Sequence, residues 1–188
     1  DLIRKAAAIA SSAYVSMLSF VHRGIEERDL ALELEYKMRA AGAEAIAFDT
    51  IFASGPNAAL PHARPGRRKL APGDFVVVDY GATFMGYHSD ETCTFALGAI
   101  DPTQRLVYDV VKQAHDLGIS MIRPGIACRE VDEAVRRHIE ANGFGDYFGH
   151  GTGHGVGLEV HEPPRLARNS DAVLEPGMVV TVEPGIYI

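Results

Sequence analysis

Basic charge is in short supply in this chain: 18 Lys and Arg stand against 25 Asp and Glu, a formal net charge of −7. A deficit of that sign argues against a nucleic-acid-binding face as its main business. Long apolar runs are absent too, and no uncharged stretch approaches the roughly 20 residues that span a bilayer. No charged segment followed by an apolar one opens the chain, so no signal peptide is expected. Cysteine is nearly missing: Cys93 and Cys128 cannot build a disulfide framework, which points to a reducing, cytoplasmic compartment. What remains is an ordinary globular balance, 188 residues with 47% apolar and 23% charged side chains. That is enough for one well-packed domain or two small ones, and too hydrophobic for disorder. The chain opens at Asp1 without Met and stops at Ile188 inside the apolar stretch that begins at Met178, so a fragment of a longer protein is expected.

Hydrophobic periodicity predicts a helix over 1–22, with Leu2, Ala6, Ile9, Ala13, Met17 and Phe20 on its apolar face. A second helix is expected from Glu27 to Ala41, ended by Gly42. Short strands are expected over 45–53, 75–80 and 87–97, then helices over 103–122 and 129–142, the last ended by Gly143. Five glycines in 149–157 call for loop or tightly turned strand. Helices and strands segregate in two blocks, which makes the class α+β.

The two blocks share a pattern. Gly24-Ile25 precedes Gly42 by the same 18 residues that separate Gly125-Ile126 from Gly143. Leu70-Ala71-Pro72-Gly73 matches Leu174-Glu175-Pro176-Gly177, and an acid follows each at the same distance, Asp79 and Glu183. Pro-Gly before a Val-rich strand is common turn chemistry, but several matches in one order indicate a duplicated helix-helix-hairpin unit. Such a duplication supplies one acid from each half.

Asp79 ends the run Phe75-Val76-Val77-Val78, where an acid is costly to bury unless paired or bound to metal. If the chain turns near Phe84-Met85, Asp90 falls opposite Asp79 in an antiparallel hairpin, with Cβ atoms roughly 4.5–5.5 Å apart. Carboxylates that close repel unless a cation lies between them. The second concentration of chemistry is His150-Gly151-Thr152-Gly153-His154-Gly155 with His161-Glu162-Pro163. His150 and His154 have the spacing of a helical zinc motif, but the glycines exclude a helix and instead let backbone pass close to a ligand. Glu183 adds a carboxylate before Pro184-Gly185.

These residues resemble the pita-bread metallopeptidases, which include aminopeptidase P, prolidase and methionine aminopeptidase. The resemblance runs over 1–188, the catalytic domain of that fold, and rests on Asp79-Tyr80-Gly81, Gly86-Tyr87-His88-Ser89-Asp90, the two histidine segments and Glu183-Pro184-Gly185. Gly55-Pro56-Asn57 ahead of His62 adds to it. Gly-Tyr-x-Ser-Asp and Gly-Leu-Glu-Val-His-Glu look like the proline-specific branch. The resemblance implies two pseudo-symmetric halves around a curved antiparallel sheet and a pair of divalent ions. It makes Asp79, Asp90, His154 and Glu183 metal ligands, and His62, His150 and His161 residues of the substrate site. Glu183 doubles as general base, with the three histidines holding the substrate or its oxyanion. Ligands rich in carboxylate suit Mn2+, with Co2+, Zn2+ or Fe2+ as alternatives.

The implied reaction is hydrolysis of the bond between an N-terminal residue and proline in small peptides, by a dipeptidase or an aminopeptidase P, in a homodimer. A methionine aminopeptidase-like enzyme and a non-catalytic peptide-binding module are the alternatives. Two departures from the family pattern matter. A fifth ligand, a Glu, is expected beyond Ile188, and without it the fragment is expected to bind metal more weakly and to be inactive. The usual Thr-Arg-Thr after the second Asp reads Thr92-Cys93-Thr94, with Cys93 expected as a small core residue.

Overall fold

The computed structural model describes residues 1–188 in two compact units, Asp1–Asp101 with Gly157–Val160, and Pro102–Val156 with His161–Ile188. In the first unit, helix α1 (Leu2–Met17) buries Ala6, Ala10, Ala13 and Met17, a stripe stepping by four, three and four. Three of those four are alanines, so the neighbouring backbone can approach closely. A short 3-10 turn, Leu18–Phe20, extends it, and Phe20 lies exposed with the Lys37 ammonium 4.8 Å from its ring centre. Phe20 therefore does not join the apolar face expected of it: the tighter turn rotates it off the stripe. Helix α2 (Glu27–Ala40) buries Leu30, Ala31, Leu34 and Met38, each large side chain contributing roughly 1.5–3 kcal/mol of burial. Gly42 follows at φ 105°, a left-handed position that glycine adopts without steric cost.

The expected strand over 45–53 is broken into β1 (Ala45–Ile46) and β2 (Ile51–Ser54). After the 3-10 turn Gly55–Ala59 come β3 (Phe75–Tyr80), β4 (Ala82–Phe84), β5 (Tyr87–His88) and β6 (Glu91–Ala96). They form two antiparallel three-stranded sheets, β2-β3-β6 and β1-β4-β5. Val76, Val78 and Tyr80 face the core with Phe52, Leu70 and the buried stripes of α1 and α2, and the Tyr80 ring stacks on Tyr14 at 5.3 Å. By the two-residue period of a strand, Val77 and Asp79 project from the opposite, half-buried face.

The hairpin corrects the expected register. Asp79 pairs with Thr92, not with Asp90. The turn is centred on Met85 and Gly86, whose φ values of 49° and 76° are both positive, the geometry of a two-residue hairpin loop that matches strand twist. Moving the turn one residue later than Phe84-Met85 shifts every pair by two. Asp90 falls in the link between β5 and β6, outside both strands. Gly81 permits the crossing between the two sheets, because a side chain there would run into the Ser89 carbonyl.

The second unit holds α3 (Pro102–Met121), α4 (Cys128–Ala141) and the paired strands β7 (Gly153–Gly155) and β8 (Glu162–Leu166). Its apolar clusters centre on Val110, Ala114, Val135 and Ile139, and on Ile126, Val131, Leu166 and Leu174. The apolar stretch after Met178 does not form the regular strand expected. It runs alongside β7 instead, through Val156 N–H to Val179 O, Thr181 N–H to His154 O and Glu183 N–H to Thr152 O, while a bulge after His154 disturbs the pairing of β7 with β8.

The internal repeat is visible in the hydrogen bonds. Gly24 N–H donates to Leu70 O and Leu70 N–H to Ile25 O; Gly125 N–H donates to Leu174 O and Leu174 N–H to Ile126 O. Residues matched in the sequence make the same contacts within their own units. No helix is long and apolar enough to cross a membrane.

Candidate metal centre

In the second unit a buried acid organises the histidine segment. Asp132 lies on the apolar stripe of α4, between Val131 and Val135, and is fully buried. Its Oδ1 accepts the Thr152 N–H and the Thr152 hydroxyl, both at 2.9 Å. Arg136, one turn on, donates Nε to Asp132 Oδ2 at 2.7 Å and further N–H groups to the carbonyls of Phe148 and His150. Thr152 in turn accepts the Glu183 N–H through its carbonyl, at 2.8 Å. A buried ion pair is favourable only when its remaining donors and acceptors are also met, and here the loop meets them. One helical turn thus sets the backbone that carries His150, His154 and Glu183.

His154 is buried and Glu183 half-buried, and His154 Nε2 lies 2.9 Å from Glu183 Oε1. The other ring nitrogen, Nδ1, is 3.0 Å from Gly155 O, an atom that can only accept, so Nδ1 carries the proton. In the neutral ring, Nε2 would turn its lone pair toward a carboxylate oxygen that also accepts from Thr181 Oγ1 at 2.7 Å. Two acceptors at this distance repel unless a proton or a cation joins them. Imidazole nitrogen beside carboxylate oxygen is a donor set that fits a divalent first-row ion. Burial works against the Glu183 charge, but with a proton on Nε2 the hydrogen bonds from His154 and Thr181 outweigh it and hold the carboxyl below its ordinary pKa.

The His161 ring lies 4.3 Å from that of His154, with a ligand nitrogen of each within 4.8 Å of the other, and it is exposed. His150 lies between Phe148, edge-on at 5.1 Å, and Tyr187 at 5.6 Å. The second unit accordingly brings His154, His161 and Glu183 together, with His150 on the adjoining loop.

In the first unit, Asp79 Oδ1 accepts from the Thr92 hydroxyl at 3.1 Å, and Asp90 lies in the link after β5, both half-buried. His62 is exposed on the loop after Gly55–Ala59. That loop is tied to α2 by Glu27, also fully buried, whose Oε1 accepts from Ser54 N–H at 2.8 Å, Ser54 Oγ at 2.7 Å and Asn57 Nδ2 at 3.1 Å. Its Oε2 accepts from Gly66 N–H at 3.2 Å. Each unit therefore uses a buried helical acid to grip the amide and hydroxyl of one Ser or Thr.

Cys93 packs against the first unit's core, as expected, with its Sγ 3.7 Å from Tyr80 Oη. Beside it, Glu91 Oε2 accepts from Ser11 Oγ at 2.6 Å, while Oε1 is buried without a partner. Burial raises the Glu91 pKa, and burial together with the Glu91 charge raises that of Tyr80. The Cys93 thiol offers no cation to this carboxyl.

The sequence reading missed Glu27, Asp132, Arg136, Thr181 and Tyr187. A signal existed for the first two, since each acid occupies a position on the apolar stripe of its helix.

Comparison with known proteins gives the family. The pattern of Metallopeptidase family M24 matches residues 1–188. An uncharacterized peptidase of Bacillus subtilis, YqhT, is 49% identical over 187 residues, and the Xaa-Pro dipeptidase of Pyrococcus furiosus 43% identical over 188, each covering 100% of this chain. Among solved structures, the Xaa-Pro dipeptidase from Bacillus anthracis superposes with a TM-score of 0.98 at 47% identity, and an X-Pro aminopeptidase from Thermotoga maritima with 0.97 at 37%. Both cover 100% of this chain. The chain spans about half the length of these relatives, 53% or 54% of each. The fold is the pita-bread fold expected from the sequence, and the chain belongs to Metallopeptidase family M24.

Proposed function

We propose that the whole protein is a metallo-exopeptidase that cleaves the bond between an N-terminal residue and proline in small peptides. Residues 1–188 belong to its catalytic domain in this reading. The observation that carries this reading is the approach of His154 Nε2 to Glu183 Oε1, 2.9 Å apart, which a proton or a cation must join, within a chain of this family. Asp79, Asp90, His154 and Glu183 would hold two divalent ions, with Mn2+ favoured by a donor set dominated by carboxylates. Such ions supply a water that loses its proton near neutral pH and polarise the scissile carbonyl.

Glu183 takes up the proton from the attacking water and passes it to the leaving proline nitrogen. His161, exposed beside His154, stabilises the charge that develops on the carbonyl oxygen. His150 orients the substrate from the adjoining loop, and His62 holds it on the leaving side. Both cysteines are free, in keeping with a cytoplasmic location, and a homodimer is part of the same reading.

The test is hydrolysis by the full-length protein, metal-free and loaded with Mn2+ or Co2+. An Xaa-Pro dipeptide, a longer Xaa-Pro peptide and a Met-Ala peptide serve as substrates. Metal-dependent release of proline from the dipeptide alone identifies a dipeptidase, and turnover of the longer peptide an aminopeptidase P. Release of Met from Met-Ala, or no turnover with metal bound, overturns the reading in favour of a methionine aminopeptidase-like enzyme or a binding module.

A further inference from the structure

Tyr187 has no part in the chemistry described so far, yet three independent contacts hold it against His150. Its backbone N–H donates to Tyr147 O at 3.1 Å. Its ring folds back over Gly185, where a β-carbon would meet ring atoms and the hydroxyl at 2.7–2.9 Å, so the glycine of Glu183-Pro184-Gly185 is needed to make room. Its hydroxyl then lies 3.1 Å from His150 Nε2.

The partners of His150 decide which way that hydrogen bond runs. His150 Nδ1 is 2.8 Å from Gly151 O. A carbonyl oxygen only accepts, so Nδ1 carries the ring proton in the neutral imidazole. Nε2 is then an acceptor, and the Tyr187 hydroxyl is the donor to it. In this state the one N–H of the His150 ring is spent on Gly151 O, and neither nitrogen has an N–H to offer a substrate carbonyl oxygen. With Phe148 edge-on to the ring and Arg136 holding the His150 carbonyl, its plane is set as well as its tautomer.

We propose that Tyr187 is a positioning residue of the substrate site, which locks His150 in the Nδ1–H tautomer with Nε2 as an acceptor. His150 then orients substrate and does not donate to an oxyanion, a task left to His161. The assignment of a substrate role to His150 rests on the exopeptidase reading; its tautomer does not.

Nitrogen-15 NMR of the full-length, metal-free protein labelled at histidine, at a pH where the imidazole is neutral, tests the tautomer without any variant. A pyrrole-type signal from Nδ1 and a pyridine-type signal from Nε2 of His150 are expected. Tyr187→Phe should move the Nε2 signal, because the donor is gone while the ring remains. The proton on Nε2 in the unaltered protein, or an Nε2 signal unmoved by Tyr187→Phe, overturns the proposal. A double-mutant cycle on kcat/KM with an Xaa-Pro dipeptide provides the functional arm. Tyr187→Phe should lower kcat/KM about tenfold, the scale seen when an orienting partner is lost. It should have little further effect in the His150→Ala background, because residues acting as a unit are non-additive. Additive losses would overturn the functional coupling. Absence of all turnover in the unaltered, metal-loaded protein would count against the exopeptidase reading, while the NMR result stands separately.

Discussion

Asp132 Oδ1 receives both the amide and the hydroxyl of Thr152, each at 2.9 Å, from a position with no solvent exposure. Through this contact α4 sets the strand that bears His154 and, through the Thr152 carbonyl, the backbone of Glu183. Removing the acid strands Arg136 and two donors of Thr152 without their acceptor. Asp132→Ala should cost about 3–5 kcal/mol, the range for breaking a buried ion pair. Asp132→Asn, which retains one acceptor, should cost less. Urea denaturation of the full-length protein measures both, and a loss under 1 kcal/mol for Asp132→Ala would refute this role.

Glu27 makes the corresponding contact with Ser54 in the first unit, one turn earlier in its helix than Asp132 in α4. Hydrogen bonds to charged groups contribute roughly 1.5–3 kcal/mol each. Glu27→Gln turns one acceptor oxygen into a donor that faces other donors, so a loss of about 3 kcal/mol is expected. The loop carrying His62 should also loosen, read as faster amide hydrogen exchange at Asn57 and Gly66. Unchanged exchange there would show that the loop is held by other means.

Acid should weaken the first unit through Asp74. Burial alone would raise its pKa, but the Arg68 guanidinium, bonded at 2.6 and 2.9 Å, and the Ala71 amide at 2.8 Å outweigh burial and lower it. A folded-state pKa below the unfolded value means that the stabilisation is complete above the ordinary carboxylate range. It is lost as pH falls through the depressed folded value. The stability gap between the unaltered protein and Asp74→Asn, both metal-free, should therefore be widest near pH 7 and close in the acid range below the ordinary value of 3.8. A gap that widens on acidification would contradict the sign.

Metal binding should stabilise the full-length protein. At a free Mn2+ concentration of about 100 times Kd the gain is about 2.7 kcal/mol, read as a rise in melting temperature that a chelator reverses. Asp79→Ala should abolish that rise together with peptidase activity, measured by elemental analysis and proline release. A variant that keeps both metal and turnover would remove Asp79 from the ligand set.

Local chemistry was legible wherever a residue's role depends on its near neighbours in the chain. Gly42 and Gly143 end their helices as spaced, and the matched Gly24/Leu70 and Gly125/Leu174 pairs carry the same hydrogen bonds. The partner of Asp79 was not legible, because one residue's difference in the position of a turn moves the register by two, and Met85 carries no mark of the left-handed geometry it adopts. Asp132 and Glu27 could have been suspected from their place on apolar stripes, but which hydroxyl each would grip lies 20 and 27 residues away.

Residue order alone established the α+β class, the duplicated halves and the kinds of group available for metal chemistry, since these follow from periodicity and composition. Folding settled the rest: which nitrogen of His154 faces Glu183, that Tyr187 reaches His150, and that Asp79 pairs with Thr92. Those outcomes turn on hydrogen bonds between distant segments. Their direction and reach depend on where backbone carbonyls come to rest, which no local pattern encodes.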